Sequence, residues 1–175
     1  MVRKVVDVKD DVLREKAKQV KTFDKKIKEI IQDMKDTLIS QKDPEGVGLA
    51  APQIGKSLQI FLMSYEGTER IVINPKIVKM SKVKPLAKVA KGEPLEGCLS
   101  LPHYYGPVAR ASEITIEYLN ENGEKTIENF NGFMAHIVQH EIDHLNGILF
   151  VDHILEQDSP LYHMHGDEWE EVELA

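Results

Sequence analysis

A glutamate and two histidines follow the spacing HExxH in the second half of the chain. His140 and His144 stand four residues apart, and Glu141 comes directly after the first of them. On a helix, residues four apart share one face, so both imidazoles can reach one metal ion. The glutamate can then act as a base toward a water molecule at that ion. The spacing predicts a metal-dependent hydrolase; the alternative is a core helix whose histidines merely pack.

A catalytic site of this kind usually has three protein ligands, so a third must come from elsewhere. His136 is a pocket-wall candidate and not a ligand, because a straight helix places it about 12 Å from His144. One protease pattern has its third histidine at the position that is Phe150 here. The sources that stay open are the thiolate of Cys98 and a glutamate near the end of the chain, Glu168 or Glu170. Weaker options are His103, His153, His163 and His165.

A glycine-rich segment, GVGLAAPQIG, occupies residues 46–55. It is not GxGxxG and lacks the lysine of a phosphate-binding loop, so it does not predict a nucleotide site. Its small residues would let the backbone around Val47 and Gly48 come close to an extended peptide. Gln53 would then be the functional side chain, an amide donor suited to a developing oxyanion. A plain tight loop is the alternative.

Composition and charge restrict the partners. The chain has 175 residues, of which 29% are charged, and a net charge of −7. Phosphate binding needs clustered positive charge, so we expect no specific nucleic acid partner. Neither a secretory signal nor an apolar run of about 20 residues is present, so we expect no membrane partner. A single cysteine excludes an internal disulfide and fits the cytoplasm. We expect a monomer with one domain over residues 1–175.

Helical patterns appear at both ends of the chain. Residues 10–20 predict a short helix, and Thr22 or Asp24 predicts the cap of a longer one with an apolar stripe. The helix that carries HExxH is apolar nearly all round and should be buried. Residues 158–175 are acidic and weakly patterned, which predicts a loosely docked helix or a flexible tail.

Strand patterns lie between these helices. Residues 113–118 alternate apolar and polar side chains, and Asn122-Gly123 is a hairpin turn signal. Asn74-Pro75 predicts the end of an earlier strand. The expected strands cover residues 58–63, 70–73, 77–80, 83–89, 113–118 and 125–130. This order indicates an α+β fold, with mostly antiparallel sheets packed around a central buried helix.

Three segments together resemble the signature motifs of peptide deformylase. They are GVGLAAPQ at 46–53, EGCLS at 96–100 and QHEIDHLNG at 139–147, in that family's order. The resemblance implies a metal-dependent hydrolase that removes the formyl group from the N-terminal formyl-methionine of newly made polypeptides and releases formate. The implied partners are N-formyl-methionyl peptides and nascent chains, with transient contact to the ribosome. The implied fold is again α+β with antiparallel sheets.

The resemblance also implies one divalent metal ion and a set of catalytic groups. Fe2+ is the expected ion, and Zn2+, Ni2+ or Co2+ can occupy the same kind of site. The implied residues are Cys98, His140 and His144 as metal ligands, Glu141 as the catalytic glutamate, and Gln53 and the Leu99 backbone N–H as oxyanion donors.

Substrate-binding residues are predicted from geometry as well as from the resemblance. On a helical wheel, Phe133 and Ile137 point nearly the same way as His140, so we expect them to line a pocket for the methionine side chain. Ordinary core positions are the alternative for both. The backbone segments expected close to the substrate contain Val47, Gly48 and Gly97.

The match of position also suggests that Glu96 and Arg110 pair and brace the cysteine loop. The chain departs from the family pattern in three places. The segment 76–97 is long, which predicts an enlarged loop or hairpin at the site entrance. His136 stands where the family more often has arginine or an apolar residue, and the tail 158–175 is not the basic helix found in part of the family.

Two rival functions remain open on the sequence. The first is a zinc protease that cuts internal peptide bonds with Glu168 as its third ligand. The second is a non-enzymatic domain whose metal has four protein ligands and no open position.

Overall fold

The computed structural model describes residues 1–85 and 95–173. Within these residues, nine strands form two sheets in which all neighbouring strands are antiparallel. The first sheet has the order β1-β2-β3-β6-β7 and the second has the order β4-β5-β8-β9. The strands are β1 Gly48–Ala50, β2 Ile60–Tyr65, β3 Thr68–Met80, β4 Glu96–Cys98, β5 Leu101–Gly106, β6 Glu113–Leu119, β7 Lys125–Asn131, β8 Leu161–His165 and β9 Glu168–Val172. The α+β prediction with antiparallel sheets is confirmed.

Three α-helices accompany these sheets in the described residues: α1 Lys25–Ser40, α2 Gly132–Leu145 and α3 Phe150–Glu156. In α1, the Asp24 side chain accepts a hydrogen bond from the Ile27 N–H at 3.0 Å, which caps the helix as predicted. Its apolar stripe packs on the first sheet, with Ile27, Ile30, Ile31, Met34 and Leu38 all buried. None of the helices in the described residues combines the length and the apolar character that a membrane span requires.

The helix predicted at residues 10–20 is wrong. Only a single 3-10 turn forms, over Asp11–Arg14. After that turn the Ala17 N–H donates to the carbonyl of Leu145 at 2.9 Å, and Lys18 forms a bridge with Leu58. Because its backbone groups bind α2 and the approach to β2, this segment has no need of helical hydrogen bonds.

The strand end predicted at Asn74-Pro75 is also wrong, because β3 continues to Met80. Proline cannot donate to the ladder, and the register shifts between Ile73 and Lys76. The Asn74 side chain stabilises this irregularity by bonding the N–H and the carbonyl of Val20, both at 2.8 Å. Residues 86–94, which contain most of the strand expected at 83–89 and the middle of the loop or hairpin expected at 76–97, lie outside the described residues, and residues 76–80 of that segment belong to β3.

Strands replace the helix or flexible tail that the sequence suggested for residues 158–175. β8 pairs with β5 through Tyr104↔His163 and Tyr105↔Tyr162, and β9 pairs with β8 over five residues. The buried Leu161 packs in a cluster with Cys98. The edge of β5 supplies hydrogen-bond partners to β8, and such a long-range pairing leaves no mark in the local pattern of a short acidic segment.

Gly147 closes α2 at a point where the chain passes close to the first residues. Its φ is +75°, and a Cβ there would meet the Arg14 carbonyl oxygen at 2.5 Å. We expect Gly147→Ala to lower the free energy of unfolding by about 1–3 kcal/mol more than a positive φ alone would, because the backbone contact must open. Urea unfolding measures this difference.

Gly67→Ala is the matched control for that prediction. Gly67 has a φ of +76°, and a Cβ added at this position would have no neighbour within 4 Å. This variant should show only the left-handed penalty of about 1–2 kcal/mol. Equal losses in the two variants would contradict the role of the Arg14 contact.

Candidate active site

Three side chains with metal-binding atoms converge at one end of α2. The ligand atoms of Cys98, His140 and His144 all lie within 4.8 Å of one another. The Cys98 Sγ is 3.3 Å from the Nε2 of His144, which is 3.1 Å from the Nε2 of His140. Two imidazoles and a thiolate at these separations are a donor set for a borderline divalent metal.

Local geometry explains how two distant segments supply these donors. His140 and His144 are one helical turn apart on α2, so their rings lie on the same face. Cys98 ends β4, and Glu96 begins it two residues earlier. Because side chains two apart on a strand point the same way, β4 presents a sulfur and a carboxylate to the same face of α2.

Glu96 braces this face of α2. Its carboxylate accepts hydrogen bonds at 2.6 Å from the Nδ1 of His140 and at 2.5 Å from the Nε2 of His136. The first bond fixes the ring of His140 so that Nε2 points toward the other donors. Burial alone would raise the pKa of Glu96, but these hydrogen bonds and those from Arg110 hold its pKa well below its usual range.

Arg110 completes the bracing network. It donates to Glu96 at 3.0 and 2.6 Å, as the motif position suggested, and also to Asp143 at 2.5 Å. Asp143 is in turn 2.8 Å from the Nε2 of His153 on α3. The network therefore joins β4, α2 and α3 around a buried pair of opposite charges.

The thiol of Cys98 is set up to ionise. Burial raises the pKa of a thiol, yet the neighbouring His144 and His140 outweigh that effect and hold the pKa of Cys98 well below its usual range. Its side chain is buried, and the Nε2 of Gln53 lies 3.4 Å from its sulfur. A thiolate is the form that binds metal.

Gln53 is held with its amide nitrogen toward this sulfur. Its Oε1 accepts a hydrogen bond from the Ala50 N–H at 2.9 Å, and its Nε2 donates to the Oγ of Ser100 at 3.3 Å. The backbone contact fixes which end of the amide faces the site. An N–H donor is thus presented beside the three metal-binding atoms.

Glu141 lies beside them with a free oxygen. Within the described residues, its Oε2 is buried without a hydrogen-bond partner, as is the Nδ1 of His144. Burial raises the pKa of Glu141 to about 7, although His140 and His144 act in the opposite direction. A buried carboxylate without a partner is rare in a folded protein and indicates a functional group.

A cavity of about 210 Å³ opens onto these groups. Its lining includes His136 as well as every residue that the sequence suggested for substrate binding or oxyanion stabilisation. Those residues are Val47, Gly48, Gln53, Gly97, Leu99, Phe133 and Ile137. The backbone of β1, the segment from Gly97 to Leu99 and α2 therefore enclose one pocket beside the metal-binding atoms.

Three other members of the site have roles that the sequence did not predict. The Ser100 hydroxyl accepts a hydrogen bond from the Gln53 amide. Asp143 and His153 extend the hydrogen-bond network of Arg110. Ser100 lies inside the EGCLS segment, so the motif itself was a usable signal. Nothing local marks Asp143 or His153, because their role depends on which arginine reaches them.

The geometry decides between the rival functions. Among the described residues, the group that could hold a metal contains Cys98 and two histidines, and Glu168 is not part of it. Glu168 instead begins the exposed strand β9. The protease arrangement with Glu168 as a ligand is therefore wrong. A closed structural site does not fit either, because the cavity reaches Cys98 and His140 directly.

Comparison with known proteins agrees with this geometry. Residues 2–159 match the family described as Polypeptide deformylase. The chain belongs to the polypeptide deformylase family. Family members are hydrolases that remove N-terminal formyl groups from new polypeptides, and both the family and the activity predicted from the sequence are confirmed at that level.

Individual relatives support the assignment over most of the chain. The peptide deformylase of Pseudothermotoga lettingae is 44% identical over 87% of this chain and 82% of its own. That of Dictyoglomus thermophilum is 41% identical over 90% and 95% of the two chains. The crystal structure of the Thermotoga maritima peptide deformylase gives a TM-score of 0.77 at 38% identity, covering 87% of this chain and 97% of that one.

Gly48 leaves the space that the Glu141 carboxylate occupies. A Cβ at this position would overlap the Oε1 of Glu141 and lie 2.9 Å from its Cδ. We expect Gly48→Ala to displace the carboxylate and to lower the rate of formate release about 100-fold, because a misplaced base loses its alignment. Metal content should stay the same, since neither Gly48 nor Glu141 belongs to the three-ligand group.

A double-mutant cycle separates this effect from general damage. In a Glu141→Gln background the carboxylate is already lost, so adding Gly48→Ala should cost little more activity. If Gly48→Ala again lowered the rate of formate release about 100-fold in that background, the proposed displacement of Glu141 would be contradicted.

Proposed function

We propose that this chain hydrolyses the formyl group of N-formyl-methionyl peptides and nascent chains, with Cys98, His140 and His144 as ligands of one divalent metal ion. The observation that carries the proposal is the convergence of these three donors at the wall of the cavity, next to Glu141, whose buried Oε2 has no hydrogen-bond partner among the described residues. The donor set fits such an ion, with three protein ligands and one side open to the cavity.

Fe2+ is the ion we assign, following the resemblance of the motifs to the family. A thiolate with two imidazoles accepts Zn2+, Ni2+ and Co2+ as well, so the donors by themselves do not select among these ions. Metal analysis of protein purified without oxygen distinguishes them.

Glu141 is the proton carrier in this proposal. A divalent ion held by the three ligands supplies Lewis acidity, making a water molecule more acidic and polarising a carbonyl group. Glu141 accepts a proton from the attacking water as the oxygen of that water bonds to the formyl carbon. It then returns that proton to the amine nitrogen as the carbon–nitrogen bond breaks. Formate and a peptide with a free N-terminus are the products.

Gln53 and Leu99 are the proposed oxyanion donors. Negative charge develops on the formyl oxygen during attack, and preorganised N–H groups stabilise it without moving. The amide of Gln53 is already oriented by the Ala50 N–H, and both Gln53 and Leu99 line the cavity. The donor positions are thus set by folding and not by the substrate.

The methionine side chain is proposed to bind between Phe133 and Ile137, with His136 in the same wall. Phe133 also packs edge-on against Tyr65, with ring centroids 4.9 Å apart, which fixes its orientation. The peptide backbone would lie along Val47 and Gly48 on one side and Gly97 on the other, where small side chains allow close approach.

The domain organisation, cellular location and oligomeric state are part of the same proposal. We take residues 1–175 as one domain with α2 as its central helix, because α2 packs on β1, β2, β6 and β7 and also faces Cys98 of the second sheet. The substrate is a newly made chain, so we place the enzyme in the cytoplasm as a monomer in transient contact with the ribosome.

Formate release from formyl-Met-Ala-Ser tests the central proposal. Glu141→Gln keeps the shape of the side chain and removes the base, so the rate should fall by about 100- to 10,000-fold while metal binding is retained. Cys98→Ser should lose metal and activity together. Wild-type protein that cuts an internal peptide bond, as seen by mass spectrometry, or a fully active Glu141→Gln variant would refute the assignment.

Ile137→Phe tests the methionine pocket. The larger ring should occupy cavity space and raise the KM for formyl-Met-Ala-Ser severalfold, with a smaller effect on kcat. Ile114→Phe is the control, because Ile114 is buried in the same cluster but does not line the cavity. Both variants overpack the core, so a rise in KM shared equally by both would show that Ile137 is an ordinary core residue.

A further inference from the structure

The hairpin of β8 and β9 lies outside the residues that match the family, which end at 159. It is nevertheless hydrogen-bonded to β5, which carries two residues of the cavity lining, His103 and Tyr105. This part of the chain therefore adjoins the proposed substrate cleft without belonging to the family's common core.

The strand register gathers four large side chains of β5, β8 and β9 on one face of the second sheet. Residues directly opposite each other in neighbouring strands share a face. Tyr105 stands opposite Tyr162, and Met164 stands opposite Trp169. The alternation of strand side chains puts Tyr162 and Met164 on the same side. We call these four residues the aromatic face.

Tyr105 makes the aromatic face continuous with the cleft. Tyr105 lines the cavity. A Cβ added at Gly97 would lie only 2.6 Å from two carbons of the Tyr105 ring, so the ring packs directly against the Gly97 backbone. On its other side it packs edge-on against Trp169, with ring centroids 5.4 Å apart. A peptide that passes Gly97 would meet Trp169 within about two further residues, at about 3.4 Å per residue.

The aromatic face is partly open and has one acidic residue on it and another beside it in the turn. Trp169 is 50% exposed, and the other three members are half-buried. Of the exposed acidic side chains of this hairpin, Glu171 lies on the aromatic face, opposite Tyr162, and Asp167 lies in the turn, whereas Glu168 and Glu170 alternate to the other face. Large exposed aromatic groups favour apolar or aromatic partners, and the carboxylates favour positive charge.

We propose that the aromatic face binds the stretch of the substrate polypeptide that follows its first three residues, with a preference for alternating basic and aromatic side chains. The inference rests on the proposed function, because it takes the cleft to hold a formylated N-terminus. The hairpin then extends the binding surface beyond the cavity.

Peptide length and composition give the kinetic test. Formyl-Met-Ala-Ser-Lys-Phe-Lys-Phe should show a kcat/KM about five- to tenfold above that of formyl-Met-Ala-Ser, a gain expected from one or two aromatic contacts. Formyl-Met-Ala-Ser-Gly-Ser-Gly-Ser, of equal length, should show little gain. Equal values for the two long peptides would overturn the proposal.

Variants of Trp169 test whether the aromatic face causes the higher kcat/KM of the basic-aromatic heptapeptide. Trp169→Ala should reduce the ratio of long-peptide to tripeptide kcat/KM to about one, whereas Trp169→Phe should restore most of it. Ile127→Ala is the control, since Ile127 is 62% exposed on β7 of the other sheet. A ratio that survives in both Trp169 variants would overturn the proposal, and so would one that falls equally in the Ile127 control.

Tryptophan fluorescence measures peptide binding at the aromatic face in the absence of catalysis. Trp169 is the only tryptophan of the chain, so its emission reports this surface alone. In the metal-loaded Glu141→Gln protein, the basic-aromatic heptapeptide should change that emission saturably, and the Gly-Ser heptapeptide should not. Failure of the wild type to deformylate the tripeptide would refute the proposed function, whereas an unresponsive tryptophan would refute only this inference.

Light scattering tests whether a second copy of the chain, and not the substrate, occupies the aromatic face. If a second copy of the chain covered the aromatic face, the protein would dimerise as its concentration rises and Trp169→Ala would abolish the dimer. That result would overturn the proposal; a monomer at all concentrations, together with the fluorescence change, supports it.

Discussion

The buried carboxylate of Glu96 is the group on which the site depends. An ionised carboxylate inside a protein is costly unless its oxygens are paired and hydrogen-bonded. Arg110, His136 and His140 supply those partners. Because Glu96 lies two residues before Cys98, the interaction that stabilises the charge also sets the position of the thiolate against α2. A single electrostatic requirement thereby aligns ligands that come from a strand and a helix far apart in the chain.

Two layers of support surround that charge. Arg110 is held in turn by Asp143 of α2, and Asp143 is held by His153 of α3. On the opposite side, the Ala50 N–H orients the Gln53 amide, and Gly48 leaves room for Glu141. The reacting groups are therefore fixed by neighbours that do not react. Such preorganisation reduces the reorganisation needed during catalysis.

The hairpin of β8 and β9 lies beyond the residues that match the family. It pairs with the edge of β5 and so reaches the cleft without changing the residues around the metal ligands. Edge strands offer free hydrogen-bonding groups, so added strands attach there at little cost to the core.

Local patterns in the sequence determined much of the site. The spacing of His140 and His144 places both on one helical face, and the stripe from Ile27 to Leu38 specifies α1, because helical periodicity depends only on near neighbours. The three motifs also identified the family. The tertiary structure alone decided other partners that meet across the chain: Gln53 with Ser100, Arg110 with Asp143, and β8 with β5. These contacts depend on burial and on free hydrogen-bonding edges, which no local spacing records.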